Sequence, residues 1–178
     1  EGLSEMEVLR EIEALAEKNH RYKTILRGAG AYRHYIPAIV KSVTSKEEFV
    51  TAYTPYQAEI SQGILQSIFE YQTMICELTG MDVSNASVYD GASAAAEAAA
   101  MCRERGRVKT LVSGAMHPDV IKTVETYAKF SGHEIAVVPV RDGATDADAL
   151  TALLTDDVAC LIVQQPNYFG LIEDVRAL

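Results

Sequence analysis

The chain has 178 residues, 48% of them hydrophobic, which fits one domain of ordinary size with a buried core. Its formal charge of -9, with Lys and Arg scattered, argues against a nucleic-acid binder, and no apolar run is long enough to cross a bilayer. The first residues do not read as a signal peptide, and three cysteines (Cys76, Cys102 and Cys160), odd in number and far apart in sequence, read as reduced, buried thiols of a cytoplasmic protein.

In chain order, Ser4 and Glu7 form a capping box that opens a helix, in which Val8, Ile12, Leu15 and Ala16 recur at helical spacing up to Asn19. Gly28-Ala29-Gly30-Ala31 predicts a flexible loop, and Pro37 is placed to open a short helix over Ala38 to Val43. Ser61 is the expected cap of a helix whose Ile64, Leu65, Ile68, Phe69, Ile75 and Leu78 trace a wide apolar face, ended by Gly80. An alanine-rich helix follows from Gly91 to Glu104. The rhythm then becomes regular. A strand over Thr110 to Ser113 precedes a helix over Asp119 to Phe130, a strand over Ile135 to Val140, a helix over Asp146 to Leu154 and a strand over Val158 to Val163. Apolar strands separated by helices predict an α/β fold of three layers, α/β/α, with a mostly parallel sheet covered on both faces.

Several stretches carry candidate chemistry. Tyr53-Thr54-Pro55-Tyr56-Gln57, running on to Gly63, stiffens two phenols and two amides around a proline, as a small-molecule site or a subunit seam requires. Asp90-Gly91-Ala92-Ser93, opening the alanine-rich helix, has the small residues and free N–H groups of a phosphate cup. An ordinary N-cap explains the same residues, and Asp90 places a negative charge where a phosphate would sit. Gly28-x-Gly30 lacks the third glycine and the preceding strand of a dinucleotide site. His117-Pro118 follows a strand, at the edge where open α/β sheets bind ligands; a loop residue capping the next helix accounts for it equally. Gln164-Gln165-Pro166-Asn167-Tyr168-Phe169-Gly170 puts amides and aromatics at the same edge, and turn chemistry does not explain two consecutive glutamines. His34, in the glycine-rich loop, is a further site candidate, whereas His20 and His133 read as surface residues. No metal-ligand cluster, nucleophile triad order or Walker loop is evident.

Taken together, Gly28 to Pro37, Tyr53 to Gly63, Tyr71-Gln72-Thr73-Met74, Asn85-Ala86-Ser87 and Gln164 to Gly170 make the chain resemble the glycine cleavage system P-proteins, over essentially its whole length. The likeness is to the alpha subunit, or the amino-terminal half of single-chain versions. The resemblance implies a fold-type I pyridoxal-phosphate enzyme, truncated within its large domain: a single-domain fragment, with 1–60 an N-terminal helix and loop segment and 61–178 part of the large domain. It implies decarboxylation of glycine and transfer of the aminomethyl group to the lipoyl arm of H-protein, with pyridoxal phosphate held by a beta subunit and not covalently by this chain. Asp90 to Ser93 then becomes a degenerate cup, with Ser93 and His117 as remnants of cofactor contacts. Tyr53, Thr54, Tyr56, Gln57 and His34 are the residues expected at the shared active site. A non-catalytic interaction subunit, or part of a self-contained pyridoxal-phosphate aminotransferase or lyase, stays open as an alternative.

Overall fold

The computed structural model describes residues 2–26, 28–29 and 34–178; Gly30, Ala31, Tyr32 and Arg33 of the glycine-rich stretch lie outside them. Four helices come first: α1 (Glu5–Ala16), α2 (Ala38–Thr44), α3 (Glu47–Val50) and α4 (Gln62–Thr79). The capping box forms as expected: the Glu7 amide donates to Ser4 Oγ at 3.4 Å, and the Ser4 amide donates to Glu7 Oε2 at 2.8 Å. Ser61 occupies the N-cap of α4 without a side-chain capping bond, a difference from the sequence reading. Gly80 closes α4 in the left-handed region at φ +71, where a Cβ would be strained. None of these four helices buries a residue.

The remainder alternates: α5 (Gly91–Met101), β1 (Lys109–Ser113), α6 (Pro118–Ser131), β2 (Glu134–Val138), β3 (Val140–Arg141), β4 (Ala144–Thr145), α7 (Ala147–Leu153) and β5 (Val158–Ile162). Two boundaries depart from the sequence reading. α5 stops at Met101 because Glu104 and Arg107 exchange backbone hydrogen bonds around Gly106, whose φ is +87. The expected strand over Ile135 to Val140 breaks at Pro139, which has no N–H for the ladder. Val140 and Arg141 instead pair antiparallel with Ala144 and Thr145 across Asp142 (φ +52) and Gly143 (φ +80). Positive φ at both central residues is the hairpin turn that an Asp-Gly pair favours.

The main sheet has the order β2-β1-β5, and both pairings are parallel. Successive residues of β1 point to opposite faces, and Leu111 and Val112 are both fully buried, so each face is covered. On one face Val112 packs with Ala96 and Ala99 of α5 and Val124 of α6. On the other, Leu111 and Val138 pack with Leu150 of α7. The result is the three-layer α/β/α arrangement. Alanines on the inner stripe of α5 let the helix lie close, and Gly114 does the same just past β1. A Cβ there would come within 2.8 Å of the Val138 carbonyl oxygen, which accepts the Gly114 N–H at 2.9 Å.

Candidate functional site

The chain between α3 and α4 folds into a short extended stretch and a turn. The Tyr56 amide donates to the Thr54 carbonyl at 2.8 Å, and the Gln57 carbonyl accepts from Ile60 and Ser61. Pro55 fixes φ between the two tyrosines. This brings Tyr53, Thr54, Tyr56 and Gln57 to the wall of one cavity of about 530 Å3, closed by Ile60, Ser61 and Ile64. Both phenols stay open to solvent, with Tyr53 and Tyr56 each 84% exposed. Glu48 and Thr51 also line the cavity and were not singled out from sequence; α3, a four-residue helix, gave too short a pattern to place them. His34 is exposed and lies outside this lining. The chemistry on offer is two hydrogen-bonding phenols, an amide and one carboxylate around an apolar floor.

A second constellation forms at the C-terminal edge of the sheet. The His117 amide donates to Gln164 Oε1 at 2.9 Å, which ties the turn after β1 to the end of β5. The His117 Nδ1 accepts the Asp119 N–H at 3.1 Å and so caps α6, while its ring meets Tyr168 edge-on at 5.3 Å. The Tyr168 amide donates to the Ala115 carbonyl at 2.7 Å. His117 and the Gln164 to Gly170 loop, distant in sequence, are thus one unit.

The two glutamines have structural work. Gln164 braces His117 and donates to the Pro166 carbonyl, whereas Gln165 accepts the Glu173 N–H at 2.9 Å and donates to the Glu173 carbonyl. Asn167 is fully buried and fully paired. Its amide donates at 2.8 Å to the Gly143 carbonyl and to Glu173 Oε1, and its oxygen accepts from Phe169 and Leu171. Glu173 Oε2 accepts the Thr145 N–H at 2.8 Å, which fastens the loop to the β3–β4 hairpin. Burial alone would raise the Glu173 carboxyl; hydrogen bonds from Thr145 and Asn167 outweigh it and hold it below the usual carboxylate range. The Pro-Asn pair was a sequence signal for this loop, but its partner Glu173 was not.

The Asp90 to Ser93 segment begins α5, and its fit to a coenzyme phosphate can be judged from the cap itself. Asp90 Oδ1 accepts the Ser93 N–H at 2.7 Å. That bond, with the Ser93 hydroxyl and the Ala92 amide, holds the Asp90 carboxyl below its usual range. A helix N-terminus binds anions through free N–H groups and its positive end. Here the chain's own carboxylate takes that place, so these residues do not fit a phosphate. Ser93 serves the cap. Lys109, at the start of β1, pairs with Glu134 at 3.6 Å. His133, read from sequence as a surface residue, is half-buried: its Nε2 is buried with no hydrogen-bond partner among the described residues, and burial and Arg103 push its pKa down. Among the described residues no helix is long and apolar enough to cross a membrane.

A family model described as "Glycine cleavage system P-protein" matches residues 1–178. The chain is 55% identical over 176 residues to a "Probable glycine dehydrogenase (decarboxylating) subunit 1" of Anoxybacillus flavithermus, covering 97% of this chain and 39% of that protein. It is 54% identical over 178 residues to the protein of the same description from Geobacillus kaustophilus, covering 98% of this chain and 40% of that one. The chain therefore spans about two fifths of the length of these curated relatives. A crystal structure of glycine decarboxylase (P-protein) of the glycine cleavage system, in inhibitor-bound form, superposes with a TM-score of 0.87 at 40% identity, over 99% of this chain and 40% of that one. The parallel sheet between helical layers is accordingly the α/β fold of pyridoxal-phosphate enzymes. With the whole of its length matched by the family model, and more than half of its residues shared with subunit 1 of two bacteria, the chain belongs to the glycine cleavage system P-protein family.

Proposed function

We propose that this chain supplies one wall of a shared active site for glycine decarboxylation, with transfer of the aminomethyl group to the lipoyl arm of H-protein. The observation that carries this reading is the joint lining of one open cavity by Tyr53, Thr54, Tyr56 and Gln57. The cavity is polar where the phenols and the amide meet and apolar at Ile60 and Ile64, which suits a small zwitterion beside a flexible hydrocarbon arm. On this reading the phenols of Tyr53 and Tyr56 donate hydrogen bonds to the glycine carboxylate or to a lipoyl sulfur, and Gln57 orients them. Because both rings are open here, a partner surface completes the enclosure and excludes water.

Pyridoxal phosphate belongs, in this proposal, to the beta subunit. The Asp90 cap supports that assignment, since its carboxylate occupies the helix N–H groups and places a negative charge where a phosphate would sit. Ser93 and His117 then act as parts of the fold, as caps of α5 and α6, and the isolated chain is inactive. Partners on this reading are the beta subunit and lipoylated H-protein, working on glycine in the cytoplasm. His34 joins the site only if a partner brings it there.

The test uses the reassembled enzyme. Tyr56→Phe and Gln57→Ala are expected to lower glycine–bicarbonate exchange by about 10-fold or more each, the loss of roughly one transition-state hydrogen bond. Exchange at the parental rate in both variants would instead assign the loop to interface packing in a non-catalytic subunit.

A further inference from the structure

The cysteines are not used by that reading, and the fold brings two of them together. On α5, Ala96, Ala99 and Cys102 follow one another at intervals of three, a single stripe along the helix and its C-cap. The first two are buried against the face of the sheet that carries Val112 and Ile162. On β5, Cys160 stands two residues before Ile162 and shares that face. It is in register with Thr110, which stands two residues before Val112. Helix stripe and strand face therefore converge at the end of α5. Cys102 lies near enough to Cys160 to act on its thiol electrostatically, and the Cys160 thiol is 3.7 Å from Thr110 Oγ1. Cys102 is exposed and Cys160 half-buried, so the reading of Cys102 as a buried thiol does not hold.

We propose that Cys102 and Cys160 are a redox-responsive thiol pair, which a small disulfide of the glutathione type converts into an intrachain disulfide fastening the end of α5 to β5. Exchange proceeds in two displacements. The Cys102 thiolate attacks one sulfur of the small disulfide, forming a mixed disulfide and releasing one small thiolate, which takes up the proton Cys102 gave up. The Cys160 thiolate then attacks the Cys102 sulfur, and the second small thiol leaves with the proton from Cys160. Two protein thiols are oxidised and one small disulfide is reduced to two thiols. The order follows from exposure: Cys102 meets solvent, whereas burial pushes the Cys160 thiol up and keeps it protonated until an electrophilic sulfur is beside it. The pair lies at the far end of α5 from Asp90 and outside the lining of the tyrosine cavity.

The experiment uses the complete polypeptide carrying Cys76→Ser, treated with oxidised glutathione, blocked with N-ethylmaleimide and digested with trypsin without reductant. Mass spectrometry is expected to show the peptide ending at Arg103 joined to the peptide beginning at Asp142, lighter by two hydrogens than their sum. Cys160→Ser should halt at a glutathione adduct on Cys102, and Cys102→Ser should leave Cys160 alkylated and free of glutathione. Wild-type Cys102 carrying glutathione beside an alkylated Cys160 would overturn the proposal, as would alkylation of both.

Discussion

Residues 2–90 and residues 91–178 contain helices with equally good local signals, yet among the described residues every fully buried side chain belongs to the second stretch. α1 has a complete capping box and an apolar stripe, but Leu9 and Ile12 remain 54% and 57% exposed. α5 has the weaker cap of a single aspartate, and its Ala96 and Ala99 are 2% and 3% exposed. The difference is what the helix lies against. Parallel strands join segments far apart in sequence and give α5, α6 and α7 a surface to cover, whereas α1 to α4 meet none of comparable extent. A compact 19.4 kDa monomer exposes roughly 8,500 Å2 by size scaling, against 14274 Å2 here.

The strongest way to break that contrast is truncation on each side of it. Leu111→Ala, at a fully buried strand position, is expected to destabilise the chain by about 2–5 kcal/mol, read as a lower urea midpoint. Leu9→Ala in α1 should move the same midpoint by no more than about 0.5 kcal/mol. An equal effect from the two would mean that α1 packs as firmly as the sheet.

The close approach after β1 gives a smaller and sharper test. Gly114→Ala forces a methyl against the Val138 carbonyl, at an expected cost of about 1–3 kcal/mol. Gly63→Ala, where an added Cβ meets nothing within 4 Å, should cost little. Thermal unfolding of the two variants compares them directly.

The smallest expected effect concerns pH. The Glu173 carboxyl is held below its ordinary value of 4.5, so it contributes stability that is present above that pH and lost as pH falls through the folded value. Urea midpoints should decline below about pH 4.5, and Glu173→Gln, which keeps an acceptor but cannot titrate, should flatten that part of the curve. A slope unchanged in the variant would assign the acid sensitivity to other carboxylates.

How far the sequence spoke depended on the range of the forces involved. The helices and the βαβ order were legible because capping residues, glycine stops and apolar runs act over a few positions, as at Ser4 and Gly80. The hairpin over Val140 to Thr145 was missed although Asp142-Gly143 announced it, because Val140 read as a continuation of the preceding apolar run. The tyrosine run was recognisable as a motif, and the structure adds that its side chains share a wall with Glu48 and Thr51. The Asn167, Glu173 and Thr145 network was not legible, since partners 28 residues apart leave no local periodicity. The consecutive glutamines looked like groups offered to a ligand, whereas in the fold each is occupied by the backbone.

The Asp90 cap has a consequence for what α5 needs in order to be stable. A helix end that needs a phosphate to neutralise it gains stability in proportion to the supply of that ligand. Here the neutralising charge is part of the polypeptide, so α5 and the layer beneath it are complete as soon as the chain folds. A shortage of phosphate ligand would leave this helix end untouched.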